Sequence, residues 1–233
     1  MHKQQLTEFK LRIHTNPNDI QFITSLGLFT NLTRLEITNH ISGHYVLEHF
    51  SSSPPILLPN LRFLGLCRAK HVLKCVNTPS LVSLGISDAI RSDINEGGLI
   101  LYEYLQRSNP PLETLKLEFS HLPNRNLLRN ILRQLSTVQS FIIKHSDECF
   151  DPSLNDLQDY SQINDLWSLL SINSPSTGCL LPNLSRLAYY RSCQDAYKRR
   201  KEQGNMNCVS NGCSMIIKDL QDYIEEIHGA SFI

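Results

Sequence analysis

The sequence predicts an α/β solenoid, in which parallel strands line a concave face and helices or turns form the convex face. One observation behind this prediction is a short apolar pattern, L-x-x-L-x-L, which occurs seven times in 233 residues. Its fourth and sixth positions alternate, as the inward-facing residues of a strand must. The other observation is that segments with helical periodicity lie between its copies. Strands and helices therefore alternate along the chain.

The copies share apolar side chains at their first, fourth and sixth positions. They are Leu6/Phe9/Leu11, Leu32/Leu35/Ile37, Leu61/Leu64/Leu66, Leu81/Leu84/Ile86, Leu112/Leu115/Leu117, Val138/Phe141/Ile143 and Leu184/Leu187/Tyr189. The intervals between first positions are 26, 29, 20, 31, 26 and 46 residues, and they centre on the leucine-rich repeat period of roughly 20–29. Residues 1–192 are therefore predicted to form one irregular leucine-rich-repeat solenoid of about seven repeats.

Proline stands one or two residues before the first leucine in four copies. The four positions are Pro59, Pro79, Pro111 and Pro182. Because proline cannot continue a helix, each marks the end of a convex-side element before the next strand begins.

Three convex-side helices are predicted from their start signals and apolar spacing. Asn16-Pro17 opens the first, residues 95–107 form the second, and Asn124 caps the third. The second is expected to bury Leu99, Leu101, Tyr102 and Leu105. The third repeat spans only 20 residues, so it has room for no more than a turn or two of helix.

The longest interval contains a helical insert near 151–173, which is either an enlarged convex helix or a repeat whose strand has degenerated. Residues 193–213 are charged, polar and rich in turn formers, so they are predicted to form a linker. Residues 214–229 carry an amphipathic stripe that ends at Gly229. This last helix is predicted to cap the open apolar end of the solenoid.

Composition narrows the class of protein. The 22 basic and 22 acidic side chains balance, so no overall field favours nucleic acid or an anionic membrane. We find neither a signal peptide nor an apolar run of the roughly 20 residues that a spanning helix needs. A cytoplasmic or nuclear protein is expected. The run 198–201, Lys-Arg-Arg-Lys, is interpreted as an import signal, as a phosphate-contacting patch or as solvated surface.

Signals of catalysis were sought and not found. The phosphate-binding, dinucleotide-binding, serine-hydrolase and zinc-protease motifs do not occur, so no enzyme activity and no cofactor are predicted. The one arrangement that resembles a metal site is Cys193, Cys208, Cys213 and His228. Its closest pair is C-x4-C, which is a poor match to the usual spacing of zinc ligands.

Alternation places the third, fifth and seventh positions of each copy on the concave floor. At the N-terminal end Glu8 is expected beside Arg34, and Lys10 beside Glu36, as complementary cross-strand pairs. The third and fourth repeats are uncharged there and leave a trough at two glycines. The candidate partner-binding residues are Phe63, Gly65, Cys67, Ser83, Gly85, Ser87, Lys116, Arg186, Tyr190 and Arg191. The alternative is that another part of the same chain covers them.

The stretches 58–64, Leu-Pro-Asn-Leu-Arg-Phe-Leu, and 181–187, Leu-Pro-Asn-Leu-Ser-Arg-Leu, resemble the irregular repeats of F-box/leucine-rich-repeat proteins. The resemblance covers roughly residues 6–192 and concerns the repeats only, because no F-box helix cluster is recognised. It implies a substrate receptor of a cullin-type ubiquitin ligase, in which the repeats hold the protein to be ubiquitylated.

The sequence thus predicts a monomeric, non-catalytic protein-interaction module that binds a protein partner on its concave face. Two other interpretations stay open. The chain is a truncated or degenerate repeat protein without a ligase role, or it carries zinc in its cysteine-containing tail. Exposed aromatic and arginine side chains favour the interpretation as a protein-interaction module.

Overall fold

A computed structural model of the protein describes residues 6–13, 23, 25–40, 54–88, 94–119, 123–146, 166, 169 and 180–192. Over these residues the chain is an α/β structure built on a parallel sheet of seven strands. The strands are β1 (Glu8–Ile13), β2 (Arg34–Asn39), β4 (Phe63–Cys67), β6 (Ser83–Asp88), β7 (Thr114–Phe119), β8 (Ser140–Ser146) and β9 (Arg186–Ser192). Each pairs with the next in chain order, which confirms the predicted α/β class with parallel strands.

The connections form a second layer on one face of this sheet. They contain a 3-10 helix (Leu26–Leu28), β3 (Ile56–Leu57), α1 (Val72–Cys75), β5 (Val76–Asn77), α2 (Ile94–Ser108) and α3 (Arg125–Arg133). β3 and β5 pair in parallel as a separate two-stranded sheet. The single turn of α1 agrees with the limited room expected in the shortest interval between copies of the pattern.

Two predicted helices are confirmed. The second runs one residue beyond its predicted span at each end, as α2. The third begins after Asn124, whose side-chain oxygen accepts a hydrogen bond from the backbone N–H of Leu127 at 3.1 Å. This bond satisfies one of the backbone donors that a helix start leaves unpaired. The helix predicted at Asn16-Pro17 begins outside the described residues.

The apolar pattern aligns across the sheet because every strand pairs with its neighbour in the same register. Leu64 of β4, for example, pairs with Leu35 on one side and with Leu84 on the other. The fourth and sixth positions of β2, β4, β6, β7 and β8 are all buried, and so are the five preceding first positions. Stacked leucines therefore form a continuous core between the sheet and the connecting layer.

The first copy is an exception, since Leu6, Phe9 and Leu11 are only partly buried. In the described part of the chain, β1 stands at the end of the sheet and has a strand on one side only. Its apolar side chains consequently lack the neighbours that cover the central copies.

Three of the four prolines end a connecting element by the same turn. The backbone N–H of Leu61 donates to the carbonyl of Leu58 at 3.3 Å, which closes a four-residue turn with Pro59 at its second position. The same bond joins Leu81 to Thr78 and Leu184 to Leu181, again with proline in second place. Proline favours this position because its fixed φ matches the turn.

A repeated hydrogen-bond pattern then leads from each turn into the strand. The backbone N–H groups of Arg62 and Phe63 both donate to the carbonyl of Thr33, at 2.8 and 3.0 Å. Equivalent pairs of donors converge on one carbonyl of the preceding strand segment at all six steps of the sheet. Each strand thereby takes its position from the strand before it.

Helix α2 corrects one prediction about its buried face. Leu101 and Leu105 are buried as expected, whereas Leu99 is 47% exposed and Tyr104 is fully buried. The phenol of Tyr104 forms a hydrogen bond with the hydroxyl of Thr78, below the helix. Burial raises the pKa of Tyr104 to about 12. The spacing of apolar residues did not identify Tyr104 as buried, because its burial depends on a hydroxyl partner, Thr78, from another part of the chain.

Several predictions fall partly or wholly outside the described residues. Of the insert near 151–173, only Leu166 and Leu169 are described, and both are helical and buried in the core. The linker 193–213 and the capping helix 214–229 lie outside the described part of the chain. Among the described helices, none combines the length and the apolar character needed to cross a membrane.

Candidate functional site

The floor, which is the face of the sheet predicted to be concave, is formed by the strand residues that point away from the connecting layer. Because the register is shared, these residues form straight rows across the sheet. The row at the fifth positions runs Lys10, Glu36, Gly65, Gly85, Lys116, Ile142 and Ala188. Two neighbouring glycines therefore lie at the middle of the floor, between charged residues on both sides.

An open depression of about 250 Å³ lies over these glycines. Strands β2, β4, β6 and β7 contribute its lining. The floor residues that line it are Glu36, Thr38, Phe63, Gly65, Cys67, Gly85, Ser87, Lys116 and Glu118. Six of the ten predicted partner-binding residues are brought together here.

Phe63 is less available than alternation alone indicates. The guanidinium carbon of Arg34 lies 3.7 Å from the centre of its ring, in a cation–π contact. A Cβ placed on Gly65 would come within 3.2 Å of the edge of the same ring. The phenylalanine therefore leans over Gly65 and fills the trough that we expected there.

Gly85 retains the open space. A Cβ built on this residue would meet no other atom within 4 Å, so the floor is recessed above it. The predicted trough is thus confined to Gly85, with the ring of Phe63 as its wall on one side. This asymmetry depends on the rotamer of an aromatic side chain, which the sequence does not specify.

Ion pairs border the depression on the β2 side. The ammonium of Lys10 lies 2.9 Å from one oxygen of Glu36, which confirms the predicted pair. Arg34 is beside Glu8 in the register, but its guanidinium donates to Glu36 of its own strand at 2.6 Å. Hydrogen bonds from Lys10 and then from Arg34 hold the pKa of Glu36 below its ordinary value. Glu36 in turn orients the guanidinium that covers Phe63.

The opposite border is formed by β7 and β8. The ammonium of Lys144 lies 2.7 Å from a carboxylate oxygen of Glu118, and this carboxylate is mostly buried. Lys116, on the same strand as Glu118, is exposed and makes no ion pair with any described side chain. The depression therefore has a neutral floor, two neutralised carboxylates and one cation whose charge is not balanced.

The remaining predicted residues lie elsewhere. Ser83 is half-buried on β6 and Arg186 is exposed on β9, and neither lines the depression. Tyr190 and Arg191 belong to β9, but their side chains lie outside the described part of the structure. Ala188, expected on the open floor, is 1% exposed, so this position is not open to a partner.

The sequence reasoning missed three lining residues, Glu36, Thr38 and Glu118. All three occupy fifth or seventh positions of the copies on either side of the neutral pair. The same alternation rule identifies them once the depression is known to extend over four strands rather than two.

The two described cysteines differ in environment. Cys67 is half-buried and lines the depression, whereas Cys75 is the buried last residue of α1. Burial raises the pKa of the Cys75 thiol to about 11. No group of three or more potential metal ligands occurs in the described ranges, and the zinc candidates at Cys193, Cys208, Cys213 and His228 lie beyond them.

The lining offers a recessed neutral surface, an aromatic wall and charges held in place by their partners. Such a surface suits the reception of a side chain from another molecule. A search of protein-family models, curated proteins and solved structures found no significant match to this chain.

Proposed function

We propose that this chain is a leucine-rich-repeat solenoid that acts as a non-catalytic protein-interaction module. Three repeated features support the solenoid: leucines stacked in register, proline turns before the strands, and paired N–H donors on one carbonyl at every step. Each feature is a property of a repeat and its neighbour, which is how solenoids are built.

The observation that carries the binding function is the recessed floor at Gly85. It lies at the centre of the concave face, where a solenoid presents an extended binding surface. Its wall, Phe63, is fixed by Arg34, so little side-chain freedom is lost when a partner contacts the ring. Aromatic residues held beside small ones are typical of interface centres.

The more specific role is that of the substrate-recognition part of an F-box-type ubiquitin ligase adaptor. The support for it is the resemblance of residues 58–64 and 181–187 to the repeats of that family. In this role the concave face holds the protein to be ubiquitylated, and a separate F-box module joins the ligase.

The binding role is tested by a photoreactive phenylalanine analogue placed at Ser87, on the floor, or at Gln134, an exposed residue after α3. Proteins cross-linked in cells from Ser87 and not from Gln134 are concave-face partners. The dissociation constant of the purified partner is then measured with the wild type, with Gly85→Gln and with Ser80→Gln.

Gly85→Gln fills the recess without meeting protein atoms at its Cβ, so binding should weaken about tenfold or more. Ser80→Gln adds the same side chain to an exposed turn and should leave the affinity unchanged. Equal affinity of both variants would show that the recess is not the binding site. The ligase role requires, in addition, that ubiquitylation of the partner falls when this chain is depleted.

A further inference from the structure

We infer that the depression receives an acidic side chain of the partner, seated over Gly85 and paired with Lys116. The inference rests on the proposed protein-binding function and specifies the chemistry of the partner. It commits the site to a peptide segment that carries aspartate or glutamate.

The first support is the charge of the concave floor. Among the described side chains at third, fifth and seventh positions, six are cationic and three are carboxylates, an excess of three positive charges. The cations are Lys10, Arg12, Arg34, Lys116, Lys144 and Arg186, and the carboxylates are Glu8, Glu36 and Glu118. The chain as a whole has no net charge, so the positive excess is a local property of the concave face and not of the protein in general.

The second support is that the carboxylates around the depression already have partners. Glu36 accepts from two cations, at 2.9 and 2.6 Å, and Glu118 accepts from Lys144 at 2.7 Å. Neither carboxylate is therefore available to neutralise Lys116. The charge that an incoming group meets in the depression is positive.

The third support is position. Gly85 pairs directly with Lys116 across β6 and β7, so the two residues are one strand spacing apart, about 4.8 Å. The open space above Gly85 thus lies beside the base of the lysine side chain. A carboxylate entering this space reaches the ammonium, while the methylene groups that carry it contact the glycine floor.

A single acidic side chain fits better than a phosphate chain. Of the described residues that line the depression, Lys116 alone is cationic, so a row of phosphates that crosses it would meet one counter-charge and no second. A peptide can place one carboxylate at Lys116 and direct neutral groups toward both glutamates. The experiment must therefore distinguish an acidic peptide from RNA.

The experiment is a selection of displayed random dodecapeptides on the full chain, repeated with Gly85→Gln and with Lys116→Glu. The wild type should enrich peptides with aspartate or glutamate, and Gly85→Gln should lose these peptides. Lys116→Glu should lose the acidic preference but still bind peptides in the recess. An enriched peptide is then made with its acidic residue and with the corresponding amide.

The affinity of this peptide is measured by fluorescence anisotropy at low salt. Lys116→Gln should weaken it about two- to fivefold, the range for a partly exposed ion pair, and the amide peptide should show the same loss. The double change should cost no more than either single change. Arg133→Gln removes an exposed cation from α3 and should have no effect.

Two results overturn the inference in distinguishable ways. If peptides depend on Gly85 but show no acidic preference, the binding function stands and the role of Lys116 is wrong. If no peptide depends on Gly85, the proposed function fails as well. Binding of single-stranded RNA that requires Lys116 and competes with the peptides would also overturn the acidic-peptide assignment.

Discussion

The hydroxyl of Tyr104 provides the sharpest test of the packing described for α2. Tyr104 and Thr78 are both fully buried and share a hydrogen bond. Tyr104→Phe removes one partner and leaves the threonine hydroxyl buried, which should lower the free energy of unfolding at pH 7 by about 1–2 kcal/mol. Replacing both residues, with Thr78→Val as the second change, should cost less than the two single changes added together.

The same variant tests the raised pKa. A tyrosine with a pKa of about 12 in the folded chain and about 10 unfolded stabilises the fold while it is protonated. This contribution is complete below pH 10 and is lost as the pH rises toward 12. Between the two pKa values the free energy of unfolding falls by about 1.4 kcal/mol for each pH unit. At pH 11 the wild type should therefore have lost about 1.4 kcal/mol from this group alone.

Tyr104→Phe cannot ionise, so its deficit of about 1–2 kcal/mol at pH 7 should shrink almost to zero at pH 11. Urea unfolding followed by far-ultraviolet circular dichroism at pH 7, 9, 10 and 11 measures this difference, in which other titrating groups cancel. Tyr102→Phe is the matched control, because Tyr102 is half-buried on α2 and its hydroxyl accepts an exposed hydrogen bond from Gln106; this change should alter stability by less than about 0.5 kcal/mol. A deficit that is the same at pH 7 and pH 11 would refute the reasoning.

Three further predictions concern glycines, a carboxylate and thiols. Gly98→Ala should destabilise the protein despite its helical position, because the new Cβ would lie 2.8 Å from the Cβ of Pro123. Gly85→Ala adds a Cβ that meets no other atom within 4 Å, so it should stabilise the protein by about 0.4–1 kcal/mol in thermal unfolding. Glu36→Gln should cost less than about 1 kcal/mol at pH 7. Because the pKa of Glu36 is lowered, its contribution is present above the ordinary carboxyl pKa and is lost as the pH falls through the lowered value, so the difference should shrink steadily when urea unfolding is repeated at falling pH. Iodoacetamide at pH 8 should modify Cys67 before Cys75, as judged by peptide mass spectrometry; the reverse order would contradict the burial of Cys75.

Much of the described fold follows from the spacing of apolar residues. Alternating leucines identify the strands because side chains on a strand point to opposite faces, and this rule needs no knowledge of neighbours. The capping residue Asn124 was equally readable, since it bonds a backbone donor only three residues away. Local geometry was sufficient in both cases.

The sequence predicted only part of the candidate site, because the shape of the site depends on contacts between side chains of different strands. Gly65 and Gly85 are equivalent in the pattern, yet the ring of Phe63 occupies the space above one and leaves the other open. Leu99 fits the helical stripe but is exposed, since the layer beneath α2 meets Tyr104 instead. Neither outcome is encoded in periodicity.

The spacing of the apolar pattern alone predicted parallel strands in chain order, the buried rows of leucine and the rows of residues on the floor. These features depend on the two-residue period of a strand and on the interval between copies of the pattern. Folding of the chain decided which floor residues meet. It turned Arg34 from Glu8 toward Glu36 and Phe63, and it left Lys116 without a counter-charge among the described side chains, beside the open recess at Gly85. The rotamer and the ion pairs of a side chain depend on all of its neighbours at once, and here those neighbours come from four different strands.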